Sequence, residues 1–232
     1  MIKKYRRREL PFKEFITLMA LVMSLAALSI DAMLPALAQM GEALGLSAAE
    51  GNQGDAQLVV SMLFLGMGLG QLFFGPASDA VGRRPMMLVG LIIFLLGALV
   101  SIFSEQFNTM LFGRFLQGLG LGAPRLISTV MVRDLYEGRA MARVMSFIMS
   151  IFILMPMIAP ILGQSILHFS GWRMIFITIF AIGVVSFLWF LIRQDETMLA
   201  QKRRPFSWAK AGADLGIILF NPVVMVYTFI SG

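Results

Sequence analysis

Six runs of mostly apolar residues, about 15–37, 57–77, 86–104, 109–132, 144–168 and 174–192, are separated by mostly short polar segments. Each can cross the hydrocarbon core of a bilayer as a helix, which takes roughly 20 residues. Short connections predict that consecutive helices are antiparallel neighbours. The pattern therefore predicts an all-α membrane protein with a six-helix bundle over 15–192. Between the runs 58–74 and 86–103 lies Gly75-Pro76-Ala77-Ser78-Asp79-Ala80-Val81-Gly82-Arg83-Arg84-Pro85. This segment is rich in glycine, proline and charge, and it predicts a tight turn at one membrane surface rather than part of a buried helix. After residue 192 the chain turns polar, and 206–220 fits a short helix along the membrane surface. Residues 193–220 read as a cytoplasmic loop between two bundles. Asn221-Pro222 then opens a new apolar run, so 221–232 reads as the start of a seventh helix and the chain as the front half of a longer one.

Charge placement orients the bundle. The tail 1–14 carries Lys3, Lys4, Arg6, Arg7, Arg8 and Lys13. With that tail in the cytoplasm, sixteen of the nineteen Lys and Arg fall on cytoplasmic segments, among them Arg83, Arg84, Arg133, Arg139, Arg143 and Arg193. The outer segments hold Arg173 alone, and the loop 38–56 carries Glu42, Glu50 and Asp55 with no basic residue. A miscounted helix would scramble this alternation, so both ends of the six-span unit are expected inside.

Composition removes other classes. At 58% hydrophobic and 14% charged residues, the chain has too much apolar surface for one soluble core. The net charge of +6 is spread along one membrane face, which argues against nucleic acid as a partner. There is no cysteine and one histidine, His168, so neither a disulfide framework nor a zinc centre is expected. No phosphate-binding glycine loop and no nucleophile–base set is present. The reading is a non-enzyme with no cofactor and no metal, and its surroundings are lipid.

Three ionisable residues fall inside spans, where charge is expensive and usually functional: Asp31, Arg114 and Arg125. Asp31 is sixteen residues into the first span, roughly 24 Å from its inner end, in the outer third. Arg114, near the outer start of the fourth span, comes out at similar depth. A pair between them, direct or through water, is geometrically open. Asp31 could equally be a polar residue at a helix end. Arg114, Gln117 and Gly118 share a helix face by their spacing. Arg125 is eleven residues on, three turns plus roughly 20°, on the same face. Two stacked arginines predict a cavity wall, with a snorkelling arginine or a clamp on backbone carbonyls as the plainer alternative. Gly113, Gly118, Gly120 and Gly122 thin this helix for close packing. In the fifth span, Pro156, Pro160 and Gly163 predict a bend.

These residues carry a resemblance. Gly75 through Pro85 resembles the signature loop of the major facilitator superfamily, with Gly75, Asp79, Gly82, Arg83 and Arg84 in register. Arg114-Phe115-Leu116-Gln117-Gly118 resembles its fourth-span arginine motif, and Pro156 through Gly163 its proton-antiporter motif in span five. Gly171-Trp172-Arg173 also fits. Ser29-Ile30-Asp31 with Pro35, and Gly122-Ala123-Pro124-Arg125, look like the Bcr/CflA-type drug:proton antiporters. Two positions depart: Met23 and Ala27 are apolar where some related exporters carry a second acid, and Gly163 is followed by Gln164 rather than glycine.

The resemblance implies the N-terminal bundle of a twelve-helix transporter in a bacterial inner membrane, working by alternating access. Asp31 would couple protons, with Arg114 tuning it. Gln117 and Arg125 would line the substrate cavity. Asp79, Arg83 and Arg84 would hold a cytoplasmic gate, and Pro156, Pro160 and Gly163 would shape the bundle interface. The implied partners are lipid, protons, a small lipophilic substrate, and a C-terminal bundle or a second copy. Proton-coupled efflux is the leading expectation. Its rivals are an uncoupled facilitator or importer, and a half-length membrane component that does not transport.

Overall fold

The computed structural model describes residues 10–45 and 53–198. Every regular element among them is helical: α1 (Phe12–Asp31), a short 3-10 turn (Leu34–Ala36), α2 (Leu37–Ala43), α3 (Gln53–Val81), α4 (Arg83–Ile102), α5 (Phe107–Leu135), α6 (Gly138–Ser170) and α7 (Trp172–Arg193). Six helical segments are long and apolar enough to cross a membrane, the first running through the turn from Phe12 to Ala43. The tail 1–9 and the residues 199–232, which hold most of the expected inter-bundle loop and all of the expected seventh helix, lie outside the described residues.

The packing has two centres. α1 is buried along nearly its whole length, enclosed by α5, α6 and α7. α5 is wedged between α3 and α4, and its glycines explain why. A Cβ at Gly118 would overlap the Leu63 carbonyl of α3, and one at Gly122 would meet the Gly70–Gln71 backbone. On the other flank, a Cβ at Gly120 would overlap the Phe94 amide of α4, and one at Gly113 would meet Ser101. α3 and α4 answer with Gly66, Gly70, Gly90 and Gly97, each set against the α5 backbone. Small residues on both sides let three backbones approach to dispersion contact, the usual source of helix association where lipid is as apolar as the side chains. α6 leans on α1 and exposes a stripe of Ile153, Met157 and Ile161.

Several expectations need correction. The segment 75–85 is not an extended tight turn. α3 continues through Pro76 to Val81, Gly82 alone breaks the helix at φ 125°, and α4 starts at Arg83. Proline removes one donor from a helix that is otherwise hydrogen-bonded within itself, a loss membrane helices tolerate. Within this segment only Gly82 takes a backbone conformation that L side chains resist. Conversely, the first span is not one helix. Intrahelical bonding in α1 ends where the Ala32 amide donates to the Leu28 carbonyl, 3.2 Å away. The 3-10 turn holding Pro35 follows at once. Pro156 and Pro160 lie within α6, which is a continuous helix of 33 residues.

Candidate functional site

The helix break leaves the Ser29 carbonyl without a backbone donor, and a fixed side chain replaces it. Arg114, 0% exposed, reaches across from α5 and donates through one terminal nitrogen to Ser29 O at 2.7 Å. Its other terminal nitrogen donates to Gln117 Oε1 at 2.6 Å, and its Nε to the Val59 carbonyl of α3 at 3.4 Å. The guanidinium carbon stands 5.5 Å from the Phe176 ring centroid of α7. One cation thus ties together α1, α3, α5 and α7. Carbonyl dipoles and an aromatic face neutralise it. The Ser29 hydroxyl and Gln117 Nε2 are buried in the same cluster with no hydrogen-bond partner among the described residues.

Asp31 is the last residue of α1, half-buried, at the edge of that break. Next to it, α6 seats its backbone on α1: a Cβ at Gly163 would overlap the Ala32 carbonyl oxygen. A direct Asp31–Arg114 ion pair, one of the two arrangements the spacing left open, is not formed, since among the described residues no carboxylate lies within 4.0 Å of Arg114. All three guanidinium nitrogens already have acceptors of their own. The carbonyl clamp, the plainer reading of an arginine here, is the geometry found for Arg114.

The predicted face of two stacked arginines divides. Arg114 and Gln117 are sealed within the bundle, so neither lines an open cavity here. Covering by α1, α3 and α7 at the outer end accounts for this. Lower on α5, Arg125 is exposed, with its guanidinium 5.7 Å from the Phe152 ring centroid of α6.

At the other end of the bundle the signature residues form a network. Arg83, 7% exposed, pairs with Asp79 at 2.5 Å and with Asp134 of α5 at 3.3 Å, and donates to the Ser78 hydroxyl at 2.7 Å. Arg84 donates to the Leu191 carbonyl of α7 at 2.8 Å. The segment after α7 turns back so that the Glu196 carboxylate accepts the backbone amides of Arg83 and Arg84, at 3.0 and 3.3 Å. An acid at the amide end of α4 meets both free donors and the positive end of the helix dipole. Gly75 lies in α3, with space for a Cβ in ordinary contact with Leu126. Asp134 and Glu196 were missed by sequence reasoning. Their signal was there: Asp134 is an acid beside Arg133 at the inner end of span four, and Glu196 lies three residues past Arg193.

Six helical segments long and apolar enough to cross a membrane, packed around a buried arginine with no carboxylate within 4.0 Å among the described residues, give the architecture of a polytopic membrane protein. The profile of the Major Facilitator Superfamily matches residues 19–232, and the chain belongs to that superfamily. It is 33% identical over 217 residues to an uncharacterized MFS-type transporter, YdgK, of Bacillus subtilis, covering 93% of this chain and 53% of that protein. It is 32% identical over 193 residues to a bicyclomycin resistance protein homolog of Haemophilus influenzae, covering 82% and 47%. A further relative is multidrug resistance protein D of Escherichia coli, 32% identical over 153 residues, covering 65% and 38%. The chain spans about half the length of the curated relatives it matches. The crystal structure of the human organic anion transporter MFSD10 (TETRAN) matches with a TM-score of 0.69 at 22% identity, covering 93% of this chain and 55% of that one. At that identity the likeness speaks for the fold alone.

Proposed function

We propose that this chain is the first bundle of a proton-coupled efflux transporter for drugs or small lipophilic metabolites. Asp31 is its coupling carboxyl. The observation that carries the reading is the position of Asp31: the acid ends α1 where the helix breaks, between the Arg114 clamp and the Gly163 seat. A carboxyl there gains or loses its proton at a point where three helices meet, so its charge can bias how they pack. Arg114 serves as a positioning residue, holding the broken end of α1. Arg125 faces the substrate path, and the Asp79–Arg83–Asp134 network with Arg84 steadies the gate at the basic end. A second bundle completes the path. The names of the drug-resistance relatives support efflux of drugs. The charge asymmetry supports a bacterial inner membrane with the N-terminus in the cytoplasm.

The test uses proteoliposomes holding the full-length protein and a panel of lipophilic drugs of either charge. Drug addition is expected to release protons, and Asp31→Asn to abolish that release while drug binding persists. Proton release that survives Asp31→Asn overturns the assignment. Drug flux indifferent to a proton gradient in the unaltered protein points to a facilitator instead.

A further inference from the structure

Among the described residues the Arg125 side chain makes a cation–π contact with Phe152 and no hydrogen bond or ion pair, and its position is costly. It lies eight residues before Arg133, the basic residue at the inner end of α5, so its Cα is about 12 Å into the membrane. Side chains on a helix tilt toward its N-terminus, which for α5 is the opposite membrane face. The guanidinium is thereby directed away from the nearer water. Phe152 fixes the depth independently: it is nine residues past Arg143 on α6, about 13 Å in by the same rise, and the guanidinium rests 5.7 Å from its ring.

At this depth a charge facing hydrocarbon is strongly disfavoured, and Arg125 is exposed. Unlike Arg114, it donates to no carbonyl or amide among the described residues, and no described carboxylate lies within 4.0 Å. α5 packs on α3 and α4 while α6 leans on α1, so the pair α5–α6 is loosely joined where Arg125 emerges. A planar cation stacked on an aromatic ring fits a ligand with a delocalised negative charge and an apolar body.

We infer that Arg125, stacked on Phe152, is the anchor for the acidic group of an amphipathic organic anion, and that it gives the cavity its charge preference. This rests on the reading of Arg125 as a cavity residue. A carboxylate or sulfonate can take two parallel hydrogen bonds from the guanidinium fork. The apolar body of the same ligand packs against the Phe152 ring beside the guanidinium.

The test is equilibrium binding to the purified protein in detergent, read by fluorescence anisotropy. The probes are two xanthene dyes of similar frame: fluorescein, an anion, and tetramethylrhodamine ethyl ester, a cation. The unaltered protein is expected to prefer fluorescein. Arg125→Gln weakens fluorescein binding by about tenfold or more, the loss of one charged anchor, and leaves the cation unchanged. Arg125→Lys retains part of the binding because it keeps the charge without the fork. Preference for the cation, unchanged fluorescein binding in Arg125→Gln, or equal loss for both dyes overturns the inference. Where Arg125→Gln does not stay monodisperse, displacement from the unaltered protein decides. Naphthalenesulfonate is expected to displace fluorescein and naphthylmethylammonium not to, and equal displacement overturns the idea. Binding is read without a gradient, so failure of proton coupling at Asp31 leaves this result standing, and the reverse also holds.

Discussion

The two arginines of α5 show how one residue type is put to opposite uses by its surroundings. Arg114 is fully buried and its three nitrogens each have an acceptor, two of them main-chain carbonyls. A side chain of similar length without the donors would strand the Ser29 carbonyl and Gln117 Oε1, at about 1–3 kcal/mol each for a buried polar group, and would drop the added bond to the Val59 carbonyl of α3. Arg114→Met is therefore expected to lower stability by about 3 kcal/mol or more, measured by thermal unfolding in detergent. Arg114→Lys falls between the two, since one ammonium cannot span acceptors on α1, α3 and α5. That Arg114 and Arg125 sit on one continuous helix, three turns apart, was legible from spacing. Which of them would be covered was not, because covering depends on the order in which α1, α3 and α7 surround α5. The direct Asp31–Arg114 contact is absent for a related reason. Sequence spacing gives depth along a helix but not the unmet carbonyl that a neighbouring helix break creates, and that carbonyl took the guanidinium.

At the scale of elements, glycine placement sets which helices touch. Gly163 allows α6 to meet the α1 backbone at Ala32. A main-chain oxygen cannot swing aside as a side chain would, so Gly163→Ala should force α6 away from the Asp31 break. A loss of about 1–3 kcal/mol is expected from overpacking, with transport impaired. Gly68 supplies the control, since a Cβ there meets nothing within 4 Å. Gly68→Ala is expected to leave stability within about 0.5 kcal/mol or raise it slightly. Thermal unfolding of the two variants side by side checks both outcomes. The six spans, their order and the thinning of α5 were readable because apolar length and glycine density are local properties. The break in α1 and the continuity of α3 through Pro76 were not. Proline and charge near a membrane surface accompany either a turn or a helix end that projects into water, and tertiary support decides between them. For α3 the deciding contact is Asp79–Arg83, an ion pair across Gly82.

For the whole molecule, the stretch after α7 matters more than a loop reading suggested. Through Glu196 on the Arg83 and Arg84 amides, and through Thr197 on Asp134 at 3.4 Å, the chain leaving the bundle is strapped to the signature residues. Removing that carboxylate, as in Glu196→Ala, leaves the first amides of α4 unmet and is expected to cost about 1 kcal/mol, as for a lost helix cap. Cleavage by trypsin after Arg193 should then speed up by roughly fivefold if it tracks local opening, and an unchanged rate would show that the strap does not hold. A final consequence follows from the burial of α1, and it concerns the order of synthesis. Of these seven helices it is the first to leave the ribosome, but its partners are α5, α6 and α7, and its ties run from Arg114 back to Ser29 and from Arg193 back to Glu14, 85 and 179 residues apart. Until those partners arrive, α1 waits in the bilayer with Asp31 and the open Ser29 carbonyl unmatched. Assembly of this bundle is therefore completed by its latest-made helices capturing its earliest one.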